Sequence, residues 1–333
     1  MTILVVADPL ESLDPQIDAS VGLMDAAQRL GHDVWFCTPE DLSVRAGRVQ
    51  ARAQRINLAP RHRGGDHRWQ VEPTWFEVLA TSDLDVVASV ELVLLRIDPP
   101  VEGRYLHTTY LLDLVEAGGV RVVNRPEGIR AFHEKLGALG LPDLCPPTLV
   151  STDPVELSGF IAEHGSCVVK PVDGFGGLDV WLVEAGRGAR ALLESATRNG
   201  TRHVIAQRYL AEVDGGNKRL FLLDGEIVGA VLRRPSAEDF RIGPPCAPAG
   251  IDADDRRIVA AVAPLLAQHG LALAGLDVID GRLIEVNVTC PGGMHKTDAL
   301  LGTDLSGVIM RHLLHHHHEE VTLPKEFHPC LTP

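Results

Sequence analysis

The stretch Gly275-Leu-Asp-Val-Ile-Asp-Gly-Arg-Leu-Ile-Glu-Val-Asn-Val288 decides how the rest of the chain is read. Its flanks are apolar and β-branched. Between them, Asp280-Gly281 tolerates positive φ, so the segment predicts a β-hairpin. Three oxygen-bearing side chains interrupt the apolar pattern: Asp277, Glu285 and Asn287. Glu285 and Asn287 stand two apart and share a strand face. Oxygen ligands without His or Cys suit Mg²⁺, which takes one or two carboxylates and completes its shell with water and substrate phosphates. A strict two-residue turn would pair Asp277 with Ile284 and put Asp277 and Glu285 on opposite faces. For both to hold the same ions, the loop must be three residues, 280–282, or a bulge must shift the register.

The remaining composition narrows the class. A chain of 333 residues, 45% hydrophobic and 23% charged, is an ordinary globular protein with room for two or three domains. Its net charge of −14 argues against a nucleic-acid or anionic-membrane partner. No secretory signal pattern opens the sequence, and no apolar run is long enough to span a bilayer. Cys37, Cys145, Cys167, Cys246, Cys290 and Cys330 lie far apart with no Cys-x-x-Cys, which predicts reduced thiols and a cytoplasmic location. Of 31 basic residues only Lys135, Lys170, Lys218, Lys296 and Lys325 are lysine. Where an arginine-biased chain keeps a lysine, a compact point charge of the kind used at a phosphate is a natural reading.

Upstream of the hairpin the pattern is α/β. Strands are expected at Thr2–Ala7, Val34–Cys37, Leu92–Arg96 and Arg121–Asn124, with helices at Ser20–Gly31 and Thr108–Ala117 and another opening at Thr38-Pro39. No Gly-x-Gly-x-x-Gly follows the first strand, so no dinucleotide site is read there. Residues 45–72 alternate as a hairpin or meander. A helix is expected over Pro126–Leu139, carrying Lys135. Strands at Thr148–Ser151, Ser166–Pro171, Asp179–Val183 and Val204–Tyr209 alternate with helices at Asp153–His164 and Arg187–Arg198. The loop Asp173-Gly-Phe-Gly-Gly177 joins two strands, and its backbone N–H groups are free to fold over phosphates, with Lys170 at its base. Lys218-Arg219 and Arg233-Arg234 form a cationic cluster within an acidic chain, which fits an anion site. Residues 235–250, with Arg241, read as a long mobile loop. A helix over Asp252–Gly270 leads into the opening hairpin, and a last helix is expected over Asp298–Leu314. The run His315–His318 and the Pro-containing tail read as surface sequence.

Cations, backbone donors and an acidic hairpin together point to chemistry by positioning and charge neutralisation around ATP and Mg²⁺. The chain resembles the bacterial glutathione synthetases, members of the ATP-grasp ligases. The likeness rests on Arg96-x-Asp-Pro-Pro100, Val123-Asn-Arg-Pro126, Glu134-Lys135, Lys170-Pro-x-Asp-Gly-x-Gly-Gly177, Gln207-x-Tyr-Leu210, Lys218-Arg219, Gly275-Leu-Asp277 and Glu285-Val-Asn-Val-Thr289. It implies an ATP-grasp fold behind an N-terminal Rossmann-like pre-ATP-grasp domain. The expected division is 1–124 for that domain, 125–203 for a central lid, 204–314 for the catalytic part and 315–333 for a tail.

The resemblance also implies roles. Lys135 and Lys170 contact ATP phosphates, Gly176 and Gly177 close over them, and Gln207, Tyr209 and Leu210 line the adenine pocket. Lys218 is placed with the nucleotide. Asp277, Glu285 and Asn287 hold two Mg²⁺, with Mn²⁺ as an alternative. Arg219, Arg233 and Arg241 meet the carboxylate substrate and its acyl phosphate. The implied reaction joins γ-glutamylcysteine and glycine at the expense of ATP, giving glutathione, ADP and phosphate. The chain departs from the family at residues 240–250, at Cys290–Met294 and at Ile97, where substrates are chosen. A ligase for another amino acid or small peptide in specialised metabolism is therefore the alternative, and an ATP-binding sensor without turnover is a third reading. Small-molecule partners and a homo-oligomer, dimer or tetramer, complete the expectation.

Overall fold

The computed structural model describes residues 1–315 apart from Ala237; the expected tail and all of the histidine run but His315 lie outside the described residues. The chain opens with β1 (Thr2–Ala7), α1 (Ala19–Arg29), β2 (Asp33–Cys37), β3 (Leu42–Arg45) and β4 (Arg48–Leu58). β1 is a continuous apolar run because it is buried on both faces as a central parallel strand. Asp18 caps α1 by accepting from Ser20 N at 2.6 Å. The helix expected at Thr38 is a single 3₁₀ turn, Pro39–Asp41, closed by a Thr38–Asp41 capping box. The meander expected at 45–72 is real and longer: β5 (His62–Arg63) and β6 (Trp69–Gln70) form a small hairpin, and β7 (Phe76–Asp85) returns along β4. After the one-turn α2 (Val86–Ser89) come β8 (Leu92–Arg96), α3 (Gly103–Ala117) and β9 (Arg121–Val123). β2, β1, β8 and β9 are parallel neighbours, and the β3–β4–β7 part is antiparallel.

α4 (Pro126–Ala131) stops well short of the expected Leu139. Lys135 therefore sits in a turn, followed by the 3₁₀ segments Gly137–Gly140 and Pro142–Leu144. Ile129, Phe132 and Leu144 share a core with Leu4 and Leu95 on one side and Leu220 and Leu276 on the other. This connecting segment thus belongs to the main body.

The lid is a separate unit: β10 (Thr148–Ser151), α5 (Pro154–His164), β11 (Cys167–Pro171), β12 (Trp181–Val183), α6 (Arg187–Ala196) and β13 (Val204–Arg208). Its sheet runs β10-β13-β11-β12 over its own core of Leu157, Ile161, Val169, Leu193 and Ala206. The boundary expected between 203 and 204 falls inside this sheet, because β13 pairs with both β10 and β11.

The catalytic sheet has the order β16-β15-β14-β17-β18, from β14 (Asn217–Leu223), β15 (Glu226–Ser236), β16 (Asp239–Pro248), β17 (Leu273–Ile279) and β18 (Arg282–Asn287). The loop expected at 235–250 is largely the strand β16, paired irregularly with β15 around its prolines. α7 (Ala253–Gln268) packs behind the sheet and starts at an Asp252–Asp255 capping box. The single last helix expected is two, α8 (Met294–Leu301) and α9 (Leu305–His315). The break is at Gly302 (φ 69°), where the Asp298 carboxylate accepts from Leu305 N, Ser306 N and two hydroxyls.

Asn124 ties the N-terminal sheet to the catalytic one. Its Nδ2 donates to Leu273 O at 2.6 Å and Val288 O at 2.7 Å, and its Oδ1 accepts from Leu273 N at 2.8 Å. All three groups are buried, so none has water as a substitute partner.

Candidate active site

The hairpin uses the second of the two expected solutions. Asp280 and Gly281 both take positive φ (47° and 64°), as a two-residue type I′ turn requires. Ile279 pairs with Arg282 and Val278 with Leu283, but Asp277 then pairs with Glu285. Ile284 is the extra residue of a β-bulge. The bulge puts Asp277, Glu285 and Asn287 on one face, at the floor of a cleft of about 720 Å³ between the lid and the catalytic sheet.

Asp277 is buried, and two arginines clamp it. Arg219 Nε donates to Oδ1 at 2.6 Å and Nη2 to Oδ2 at 3.1 Å, and Arg233 Nη2 donates to Oδ1 at 2.5 Å. Burial pushes this carboxyl's pKa up, and Arg219 and Arg233 more than offset it, so it ends lowered to about 2. Asn217 Oδ1 accepts from Arg233 Nε and Nη2, fixing the second arginine. Glu285 is paired with Lys135 Nζ at 3.1 Å, and the same ammonium donates to Gly174 O in the glycine loop. One lysine thus ties the β17–β18 hairpin to the glycine loop.

Lys170 is buried beneath the lid loop, with Nζ 3.5 Å from Gln207 Oε1. Burial lowers its pKa, Glu285 opposes the shift and Lys135 adds to it. Gln207 Nε2 donates to Thr148 Oγ1 at 3.0 Å, which sets the amide's orientation at the inner end of the cleft. Gly176 and Gly177, both at positive φ (60° and 75°), leave the loop backbone free of side chains on the cleft side. Tyr209 and Leu210 form an apolar wall with Ile279 and the bulged Ile284.

Arg241 lines the outer cleft but is exposed. It is paired with Asp239, and its Nη1 donates to Gly177 O at 3.4 Å. Lys218 is a correction: it does not line the cleft. Strand alternation turns it away from Arg219, and its Nζ donates to Asp252 at 2.7 Å and Asp255 at 2.5 Å at the start of α7.

Several lining residues were given no role of their own from the sequence. Glu134, Phe175, Thr289, Cys290 and Pro99 stand only as members of quoted motifs or departures, and Asn217 and Ile17 stand outside them. For Glu134 the signal was its place in the Glu134-Lys135 motif, beside a marked lysine. The others look like ordinary strand and loop residues until the chain is folded.

The donor set fits Mg²⁺. Among the described residues no cluster of three His, Cys, Asp or Glu side chains occurs, so a nitrogen- or sulfur-rich metal centre is not formed there. Two carboxylates and one amide converge instead. Asn287 Nδ2 donates to Gly275 O at 3.0 Å, so its Oδ1 is left as the donor atom.

Two family models cover this architecture: the prokaryotic glutathione synthetase N-terminal domain over residues 1–130 and its ATP-grasp domain over residues 134–302. The chain belongs to the prokaryotic glutathione synthetase family. It is 40% identical over 308 residues to a glutathione synthetase of Parasynechococcus marenigrum, spanning 91% of this chain and 95% of the relative. It is 41% identical to that of Synechococcus elongatus, covering 92% and 95%. For Xanthomonas campestris pv. campestris the identity is 34%, covering 93% and 96%. Among solved structures, the ATP-grasp ligase PsnB complexed with minimal precursor superposes with a TM-score of 0.60 at 19% identity, over 94% of this chain and 98% of that one. D-cycloserine synthetase DcsG does so with a TM-score of 0.58 at 20% identity, over 93% and 99%. These two establish the ATP-grasp fold. Family and fold make the chain an ATP-dependent, ADP-forming carboxylate–amine ligase.

Proposed function

We propose that this ligase joins γ-glutamylcysteine to glycine, the reaction named by its relatives. The observation that carries the reading is the Asp277–Glu285 pairing made by the bulge. It sets two carboxylates and Asn287 opposite Lys135 and Lys170, with Arg219 and Arg233 beside them.

Lys135 and Lys170 take phosphate oxygens of ATP, and the 174–177 backbone covers them. Gln207, Tyr209 and Leu210 receive the base. Asp277, Glu285 and Asn287 hold two Mg²⁺, or Mn²⁺, whose charge neutralises the transferring phosphoryl group. Arg219 and Arg233 stand where a substrate carboxylate is oriented for phosphorylation and where negative charge collects as the acyl phosphate is attacked. Arg241, on β16, closes the outer side against the glycine loop. Chemistry rests on position and charge, so the clamp of Arg219 on Asp277 matters as much as any single charge.

Small-molecule substrates suit the cleft's size, and the net charge of −14 fits the absence of a nucleic-acid partner. Among the described residues no helix is long and apolar enough to cross a membrane, and the five described cysteines are free thiols, in keeping with a reducing cytoplasm. Assembly as a dimer or tetramer completes the proposal.

The test is ADP release from ATP and Mg²⁺ across panels of acids and amines. Release that requires both γ-glutamylcysteine and glycine supports the reading. Release only with other pairs replaces it with a ligase of specialised metabolism, which the altered residues 240–250 and Cys290–Met294 would then explain. ATP bound with no ADP formed from any pair would make the protein a sensor.

A further inference from the structure

The cleft is rich in cations, and an amine substrate arrives at neutral pH as one more. Lys135, Lys170, Arg219 and Arg233 all line it, and they suit phosphates and carboxylates. An ammonium group in the same space needs an anion. Three carboxylates line the cleft: Glu134, Asp277 and Glu285. Asp277 is held by two arginines and Glu285 by Lys135.

Glu134 is different. No cation among the described residues is ion-paired with it, yet it is rigidly placed. Its Oε1 accepts from Val288 N at 2.7 Å, Thr289 N at 2.9 Å and Thr289 Oγ1 at 2.8 Å, and its backbone carbonyl accepts from Val286 N at 3.0 Å. Three donors on one oxygen fix the carboxylate plane and leave Oε2 with its acceptor capacity. The segment it holds runs on to Cys290 and Gly292, and Gly292 O accepts from Arg219 Nη1 at 3.2 Å, so Glu134 shares a wall with the arginine clamp. Burial works against the Arg219 guanidinium, and Asp277, Glu285 and Glu134 more than offset it, which puts Glu134 within electrostatic reach of the clamp.

We propose that Glu134 is the ammonium subsite of this ligase: Oε1 is spent on the 288–289 backbone and Oε2 receives the amine substrate. The inference deepens the proposed function and rests on it. A carboxylate here attracts the amine to the wall beside Arg219 and Arg233, where the acyl group is activated, and selects against neutral nucleophiles such as water.

The test separates charge from scaffolding. Glu134→Gln keeps an oxygen for the three donors and removes the negative charge. With glycine, or the amine that the substrate panel returns, KM for the amine is expected to rise about tenfold to a hundredfold, the scale of one hydrogen bond to a charged group. KM for ATP and for the acid should change by less than about twofold. Hydroxylamine is uncharged at neutral pH, so hydroxamate formation by the variant should stay within about threefold of wild type. Equal losses with glycine and hydroxylamine, or a raised Mg²⁺ requirement, would overturn the proposal and leave Glu134 as a support for the hairpin. If the variant does not fold, the wild-type protein decides. Methylammonium should compete with glycine where methanol at the same concentration does not, and equal effects would sink the idea. A wild-type enzyme that releases no ADP with any pair of acid and amine would instead remove the ligase chemistry on which the proposal stands.

Discussion

Lys170 and Lys218 show what residue type alone conveys. Both were marked by the scarcity of lysine, but only Lys170 lies in the cleft. Lys170→Ala is expected to raise KM for ATP about a hundredfold or more, since it removes the buried charge that the proposed function sets on a phosphate. Lys218→Ala should leave KM for ATP within about twofold and lower stability instead, by about 3 kcal/mol, because Asp255 is buried and loses its cation. Steady-state kinetics and thermal melts of the two variants check both statements. An ATP defect in Lys218→Ala would return that residue to the site. Glu285→Ala should abolish turnover while the protein still folds; near-normal activity would refute the metal assignment. The gathering of Asp277, Glu285, Asn287, Lys170 and the glycine loop in one cleft was legible because their chemistry is unusual for an apolar hairpin or a strand end. Lys218 was misplaced because Lys218-Arg219 shows two charges and not which strand face each occupies. Glu134, quoted only beside Lys135, was given no role of its own because its partners, Val288 and Thr289, lie more than 150 residues away.

At the scale of elements the hairpin carries the sharpest consequence. The bulge at Ile284 absorbs one residue, so Asp277 still faces Glu285 across a two-residue turn. Deleting Ile284 should keep that pairing and leave measurable ligase turnover, reduced because an apolar side chain is lost from the cleft wall. Deleting Val286 removes the same number of residues but turns Asn287 to the opposite face, and turnover should vanish. Activity assays beside melting curves decide the matter; equal behaviour of the two deletions would refute the shared-face argument. Local pattern foresaw the strands of the N-terminal sheet and the alternation of the lid. It could not assign β13, whose neighbours β10 and β11 were sewn on by non-local pairing. Nor did it foresee the end of α4 at Ala131, since residues 132–139 keep good helix formers but are drawn into a turn by the bonds Glu134 makes to the hairpin.

At the scale of the molecule, the N-terminal sheet and the catalytic sheet share two cores, and the lid has a third of its own. The main body is further strapped by the β5–β6 hairpin, which lies across α8. Trp69 Nε1 donates to His295 O at 2.8 Å, and the two rings stack with centroids 5.2 Å apart. Arg61, paired with Asp25, sits 5.1 Å from the Trp69 ring. His295 is fully buried, and its Nε2 donates to Pro15 O at 3.1 Å. Burial, and then the nearby Arg61, lower its pKa from 6.5 to about 3. The sign follows from linkage: the folded pKa is below the unfolded one, so the unfolded chain binds the extra proton first. Stability from this residue is therefore complete above pH 6.5 and drains away as pH falls toward 3. The full span is on the order of 4–5 kcal/mol. Melting temperature should thus begin to drop below neutrality, well before the Asp277 carboxyl, lowered to about 2 by Arg219 and Arg233 in spite of its burial, takes up a proton. His295→Gln keeps an amide donor for Pro15 O and cannot charge. It should be less stable than wild type at pH 8 through lost stacking, yet lose less melting temperature between pH 7 and pH 5. Parallel melting curves for the two proteins, with equal pH slopes, would show that the strap is not the acid-sensitive joint.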